Sequence, residues 1–119
     1  MTADDLQVLV LEALDDLKGQ DVLALDVSGS SGVTDWMIIA SGTSGRHVKS
    51  LLDRTVERAK AGGVVPLGIE GQDGLEWVLV DLGDVVVHIM QRETRSFYDL
   101  ERLWKTPPPT AKVSLSSVS

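Results

Sequence analysis

The chain has 119 residues, 43% of them hydrophobic and 24% charged, which is the size and balance of one globular domain around a single core. Eleven Lys and Arg against 18 Asp and Glu leave a net charge of −7, with a pI near 4.6. Such a chain is repelled by bare phosphate backbone and by anionic membrane surfaces, and it attracts a basic protein. Cysteine is absent, which rules out disulfides, thiolate zinc sites, iron–sulfur clusters and a cysteine nucleophile.

The N-terminal Met1-Thr2-Ala3-Asp4-Asp5 carries acid where a signal peptide needs base, and no apolar run reaches the roughly 18 residues of a membrane span. A cytoplasmic location is expected. The first element is an amphipathic helix with Leu6, Leu9, Val10, Ala13, Leu14 and Leu17 on one stripe. Thr2 is its expected N-cap and Gly19 its expected stop. Asp21 to Val27 reads as a strand with Leu23, Leu25 and Val27 on one face, and Ser28 to Gly32 as a loop. Trp36 to Ala40 is a second strand, Ser41 to Gly45 a turn, and a second helix runs to about Ala61, where Gly62-Gly63 stops it. Val64 to Ile69 is a third strand, placed at an edge or bulge by Pro66. Leu75 to Leu82 and Asp84 to Met90 are two further strands, and a last helix spans Thr94 to Trp104. The predicted order is α-β-β-α-β-β-β-α, an α/β (α+β) domain over residues 1–104 with one mixed sheet of about five strands and three helices. Residues 105–119 are Pro- and Ser-rich and are expected to form a flexible tail.

The last two strands carry the most informative pattern. With a two-residue turn at Leu82-Gly83, Trp77 faces His88, Leu79 faces Val86 and Asp81 faces Asp84. One face of this hairpin holds Val78, Val80, Val85, Val87 and Ile89 and must be core. The other holds Trp77, Leu79, Asp81, Asp84, Val86, His88 and Met90. Two readings of that second face stand: a protein-docking surface centred on Trp77, His88 and Met90 with Tyr98 beside it, or a second core covered by a helix.

Other constellations point less clearly. Ser41-Gly42-Thr43-Ser44-Gly45 before a helix could cradle an anion, but it lacks the P-loop pattern and reads better as a capped strand-to-helix turn. A metal-dependent nucleotidyltransferase could be drawn from Gly42, Ser44, Asp81 and Asp84, and a Ser–His–Asp arrangement from Ser44, His88 and Asp81. Neither has diagnostic spacing. His47 reads as a surface residue near a helix start, and Arg92-Glu93-Thr94-Arg95 as a solvated one. No catalytic residue, metal site or cofactor is expected.

The segments Thr34 to Ser44, Gly68 to Gly71, Trp77 to Met90 and Arg95 to Trp104 together resemble the ribosomal silencing factor (Iojap-like) family over roughly residues 3–104. The resemblance implies a nucleotidyltransferase-like fold without established transferase chemistry. It implies binding to the large ribosomal subunit through its protein number fourteen, a steric block to joining of the small subunit, and repression of translation under nutrient limitation. Organelle relatives imply a role in large-subunit assembly. The implied partner-binding residues are Trp77, Asp81, Leu82, His88 and Tyr98, and the face argument adds Met90. Little direct RNA contact and no membrane partner are expected. A homodimer through the same face is allowed off the ribosome.

Overall fold

Helix α1 (Ala3–Asp16) starts at the cap the sequence specifies. The Thr2 hydroxyl accepts the Asp5 amide at 3.1 Å, and the Asp5 carboxylate accepts the Thr2 amide at 3.3 Å, a reciprocal capping box. At the other end the Gly19 amide donates to the Leu14 carbonyl and the Lys18 amide to that of Asp15. The residue in the left-handed region is therefore Lys18, at φ 60, and Gly19 comes one position later. Space at Gly19 is tight: a Cβ there would lie 3.1 Å from the Leu14 oxygen and 3.4 Å from Leu51 Cδ2.

The computed structural model describes residues 1–98; the expected end of the last helix at Trp104, the 1–104 domain boundary and the 105–119 tail lie outside the described residues. After α1 come β1 (Gln20–Asp26), the one-turn helix α2 (Ser28–Ser31), β2 (Trp36–Gly42) and α3 (Gly45–Ala61). Then follow β3 (Gly68–Glu70), β4 (Trp77–Asp81), β5 (Val85–Gln91) and α4 (Arg92–Tyr98). The predicted order of elements is recovered, with α2 added where a loop was expected. Asp26 Oδ1 accepts both the amide and the hydroxyl of Ser28, which starts that turn and holds the Asp26 carboxyl below its ordinary range. Strand β3 is shorter than expected and begins beyond Pro66, which cannot donate to a ladder. Helix α4 begins at Arg92, two residues earlier than expected, directly after β5.

The strands form one sheet in the order β1-β2-β5-β4-β3. Only β2 and β5 run parallel; the other neighbours are antiparallel, and β3 is an edge as Pro66 indicated. The β4–β5 register differs from expectation by two residues: Trp77 pairs with Met90, Leu79 with His88 and Asp81 with Val86. The two-residue turn is Gly83-Asp84, closed by the Leu82 amide on the Val85 carbonyl at 2.9 Å. Gly83 takes φ +88, the conformation that a glycine at the first turn position supplies without strain. Moving a two-residue turn by one position shifts the pairing by two, so every side chain keeps its predicted face.

Helices α1 and α3 cover one face. Val78, Val80, Val85, Val87 and Ile89 are fully buried there with Ile38 and Ala40 of β2, against Leu6, Val10 and Leu14 of α1 and Val48, Leu51 and Leu52 of α3. Arg54 and Arg58 of α3 reach Asp16 and Arg58 also Glu12, half-exposed pairs that tie the helices together and add little stability.

Candidate docking surface

Cross-strand pairing lays the opposite face out in three rows. Leu25, Met37, Val86, Asp81 and Gly68 form one; Leu23, Ile39, His88, Leu79 and Glu70 the next; Ser41, Met90 and Trp77 the third. Val27, Met37, Ile39 and Met90 form a second, smaller apolar cluster, with Leu25 and Trp77 packed against it. Helix α4 lies at the third row. Arg95, buried, donates through Nη1 to the Ser41 hydroxyl at 3.0 Å and to the Asp21 carbonyl, while Arg92 Nε donates to Gln20 Oε1 at 2.7 Å. The Asp21 carbonyl reaches Arg95 because β1 bulges between Gln20 and Leu23, with Asp21 at φ 48. Within Arg92 to Arg95, expected to be a solvated helix entry, Arg92 and Glu93 are exposed as expected, whereas Arg95 is buried and anchors α4.

The six expected partner-binding residues are not equally placed. Trp77 is half-buried, and so is Asp81. One Asp81 oxygen accepts the Gly83 amide at 2.9 Å, so this carboxylate also braces the hairpin turn. Leu82 closes the turn opposite Val85 and is buried in the helix-side core, not in the face that holds Trp77, His88 and Met90. Met90 is fully buried and His88 is 5% exposed, so both lie in this face rather than on it. Tyr98 ends the described part of α4, and its side chain lies outside the description. This face thus combines a second small core with a half-buried aromatic packed against it.

Trp77 and His88 are diagonal neighbours rather than a direct pair. The indole Nε1–H donates to His88 Nδ1 at 2.9 Å, with ring centroids 5.8 Å apart and planes inclined by 47°. Burial pushes the His88 pKa down to about 4, so the imidazole is neutral at physiological pH. Because Nδ1 accepts, the ring proton is on Nε2. At the start of β4, Gly71 takes φ +86, and a side chain there would run into the Trp77 carbonyl. This turn fixes where Trp77 enters the sheet.

The catalytic alternatives do not assemble. Gly42 pairs with Gln91 at one end of the sheet, whereas Asp81 pairs with Val86 near the other, five residues or about 17 Å along the strand. At the Ser41–Gly45 turn and the following helix start, the Thr43 and His47 amides are engaged internally. His47 Nδ1 accepts from Thr43 N at 2.9 Å, and Ser44 Oγ accepts from His47 N at 3.2 Å. His47 Nε2 in turn reaches the Leu17 carbonyl at 2.8 Å, so this histidine joins the turn to the end of α1. In the Ser–His–Asp arrangement, His88 Nδ1 is taken by Trp77 and the Asp81 carboxylate by the turn. Among the described residues no group of three or more His, Asp or Glu could hold a metal ion.

The sequence also carries a charge pattern along this half of the chain. Between Lys60 and Arg92 there is no lysine or arginine, while Glu70, Asp73, Glu76, Asp81 and Asp84 supply five acids. That span is β3, β4 and β5, so the negative charge concentrates on the half of the sheet that carries Trp77. Val65 and Leu67 are exposed beside it, leading into the edge strand.

Comparison with known proteins agrees with this architecture. The crystal structure of protein CV0518 from Chromobacterium violaceum superposes with a TM-score of 0.87 at 43% identity, covering 92% of this chain and 91% of that one. The ribosomal silencing factor RsfS of Haemophilus influenzae is 46% identical over 95 residues, 80% of this chain and 93% of that protein. The mouse protein named mitochondrial assembly of ribosomal large subunit protein 1 is 35% identical over 103 residues, 84% of this chain and 45% of its own length. The profile of the family described as ribosomal silencing factor during starvation matches residues 1–118. With that match and relatives above 40% identity over most of its length, the chain belongs to the ribosomal silencing factor family.

Proposed function

We propose that this protein docks on the large ribosomal subunit through its protein number fourteen and, by occupying that site, keeps the small subunit from joining. Translation then falls under nutrient limitation, in the cytoplasm where ribosomes are. The observation that carries this reading is the acidic half-sheet with Trp77 set in the face opposite α1 and α3. Ribosomal proteins are commonly basic, so this half-sheet steers toward one while the same charge is repelled by surrounding RNA. A standard interface buries about 1,200–2,000 Å², and a few aromatic anchors dominate its affinity. A steric block needs no catalytic group.

The test is co-sedimentation with isolated large subunits, small subunits and joined ribosomes, followed by light scattering of subunit joining. Binding to large subunits alone, inhibition of joining, and loss of both in Trp77→Ala are the expected results. Inhibition that survives Trp77→Ala would discard the face, and binding to small subunits would discard the mechanism. The name of the mouse relative supports a second role in large-subunit assembly, which a deletion strain accumulating immature large subunits during rapid growth would establish. Off the ribosome the same apolar face holds two copies together, so self-association and docking compete; a dimer that persists on the ribosome would refute this.

A further inference from the structure

We infer that His88 is a positioning residue for docking: it accepts the Trp77 indole N–H and so holds that ring in one orientation on the sheet face. This rests on the docking function proposed above and assigns His88 a role different from direct contact with the partner. The two side chains come from different strands and meet on the diagonal, Nε1 to Nδ1 at 2.9 Å. A tryptophan χ2 is a broad torsion, so a half-buried indole without a directed partner samples more than one orientation. The imidazole cannot follow such motion. It is 5% exposed, and its cross-strand neighbours Ile39 and Leu79 stand directly beside it on β2 and β5's other flank, β4. Burial supplies the neutral ring that can accept, and the accepted hydrogen bond selects the Nε2–H tautomer. An anchor already held in its bound orientation loses less side-chain freedom on docking, which raises affinity without a new contact.

Substitution at His88 separates holding from touching. Asparagine places an amide oxygen near the position of Nδ1 and can still accept the indole proton, but it offers nothing at the position of Nε2. Leucine fills the space and accepts nothing. The experiment records the Trp77 indole ¹H–¹⁵N resonance of the free protein, assigned with Trp77→Phe, and measures affinity for purified large subunits. Wild type and His88→Asn should share a hydrogen-bonded indole resonance and bind within about threefold of each other, whereas His88→Leu should lose that resonance and bind about tenfold more weakly. Equal losses in His88→Asn and His88→Leu would overturn the inference in favour of direct contact through Nε2. Undiminished binding by His88→Leu would overturn it outright. If His88→Leu fails to fold, His88→Gln, whose oxygen lies one bond farther out, takes its place. Wild-type protein that leaves large subunits unbound would overturn the docking function itself, and that failure is distinct because every variant would then read alike.

Discussion

Beneath α1 and α3, strands β4 and β5 present Val78, Val80, Val85, Val87 and Ile89; on the other side the same strands present Trp77, Leu79, Asp81, Val86, His88 and Met90. The first set is aliphatic and fully buried, and its stabilisation is non-directional, set by area removed from water and by close packing. The second set mixes apolar burial with directed bonds: indole to imidazole, Asp81 to the turn, Arg95 to the bulged strand. A face that only had to be stable would not need these. The difference is between a side of the sheet held by packing alone and a side that also fixes polar groups in place, which is the side proposed above to meet the partner.

The sharpest way to break the comparison is packing. Ile89→Ala removes a fully buried side chain from the helix face and is expected to cost between about 2 and 5 kcal/mol, measured by urea unfolding. That is a large part of the roughly 5–15 kcal/mol a domain possesses, so Ile89→Ala lowers ribosome binding only by unfolding the chain, whereas Trp77→Ala lowers it in a folded one.

Next comes pH, which acts on the other face. Burial depresses the His88 pKa from 6.5 to about 4, so between those values the unfolded chain takes up a proton that the folded chain refuses. The neutral ring's contribution is fully present above pH 6.5 and is lost as pH falls through the window to 4, about 3 kcal/mol in all. The check is the stability difference between wild type and His88→Asn, measured at pH 7 and at pH 4. It should shrink by about that amount, and carboxylates common to both proteins cancel. A difference that is constant with pH would show that His88 titrates as an exposed histidine does.

The smallest effect returns to the helix face. Thr55 in α3 is buried, and its hydroxyl has no hydrogen-bond partner in the structure described. Thr55→Val keeps the shape, removes the unpaired group and should stabilise the chain by about 1 kcal/mol. At this size of domain that is a rise of roughly 5 °C in Tm, without change in ribosome binding.

Much of the fold was legible because its signals are local. The helical stripe of α1, the Thr2 capping box and the period-two alternation of β4 and β5 are written within a few residues of each other. The face assignment survived a misplaced turn for the same reason, since any two-residue loop preserves the alternation between strands. The family segments were legible too, and they led to the membership the comparisons establish. The candidate site was legible as a face, whereas the burial of its residues one by one was not. Leu82 stands at the hairpin turn, where shifting the turn from Leu82-Gly83 to Gly83-Asp84 carries it from loop to core.

The sequence by itself determined which residues alternate into the core, where α1 and α3 begin and end and where α4 begins, within a residue or two, and that the chain is acidic, cysteine-free and carries a mixed aromatic face on its last hairpin. Only the tertiary structure decided that Lys18 and not Gly19 takes the left-handed position after α1, and that Arg95 is an anchor and not a surface charge. It also decided that His88 is buried and turned to the indole of Trp77. Each of these depends on a partner far away in sequence or on the opposite strand. Burial and hydrogen-bond direction belong to the environment that folding brings together, and one strand's own pattern does not contain it.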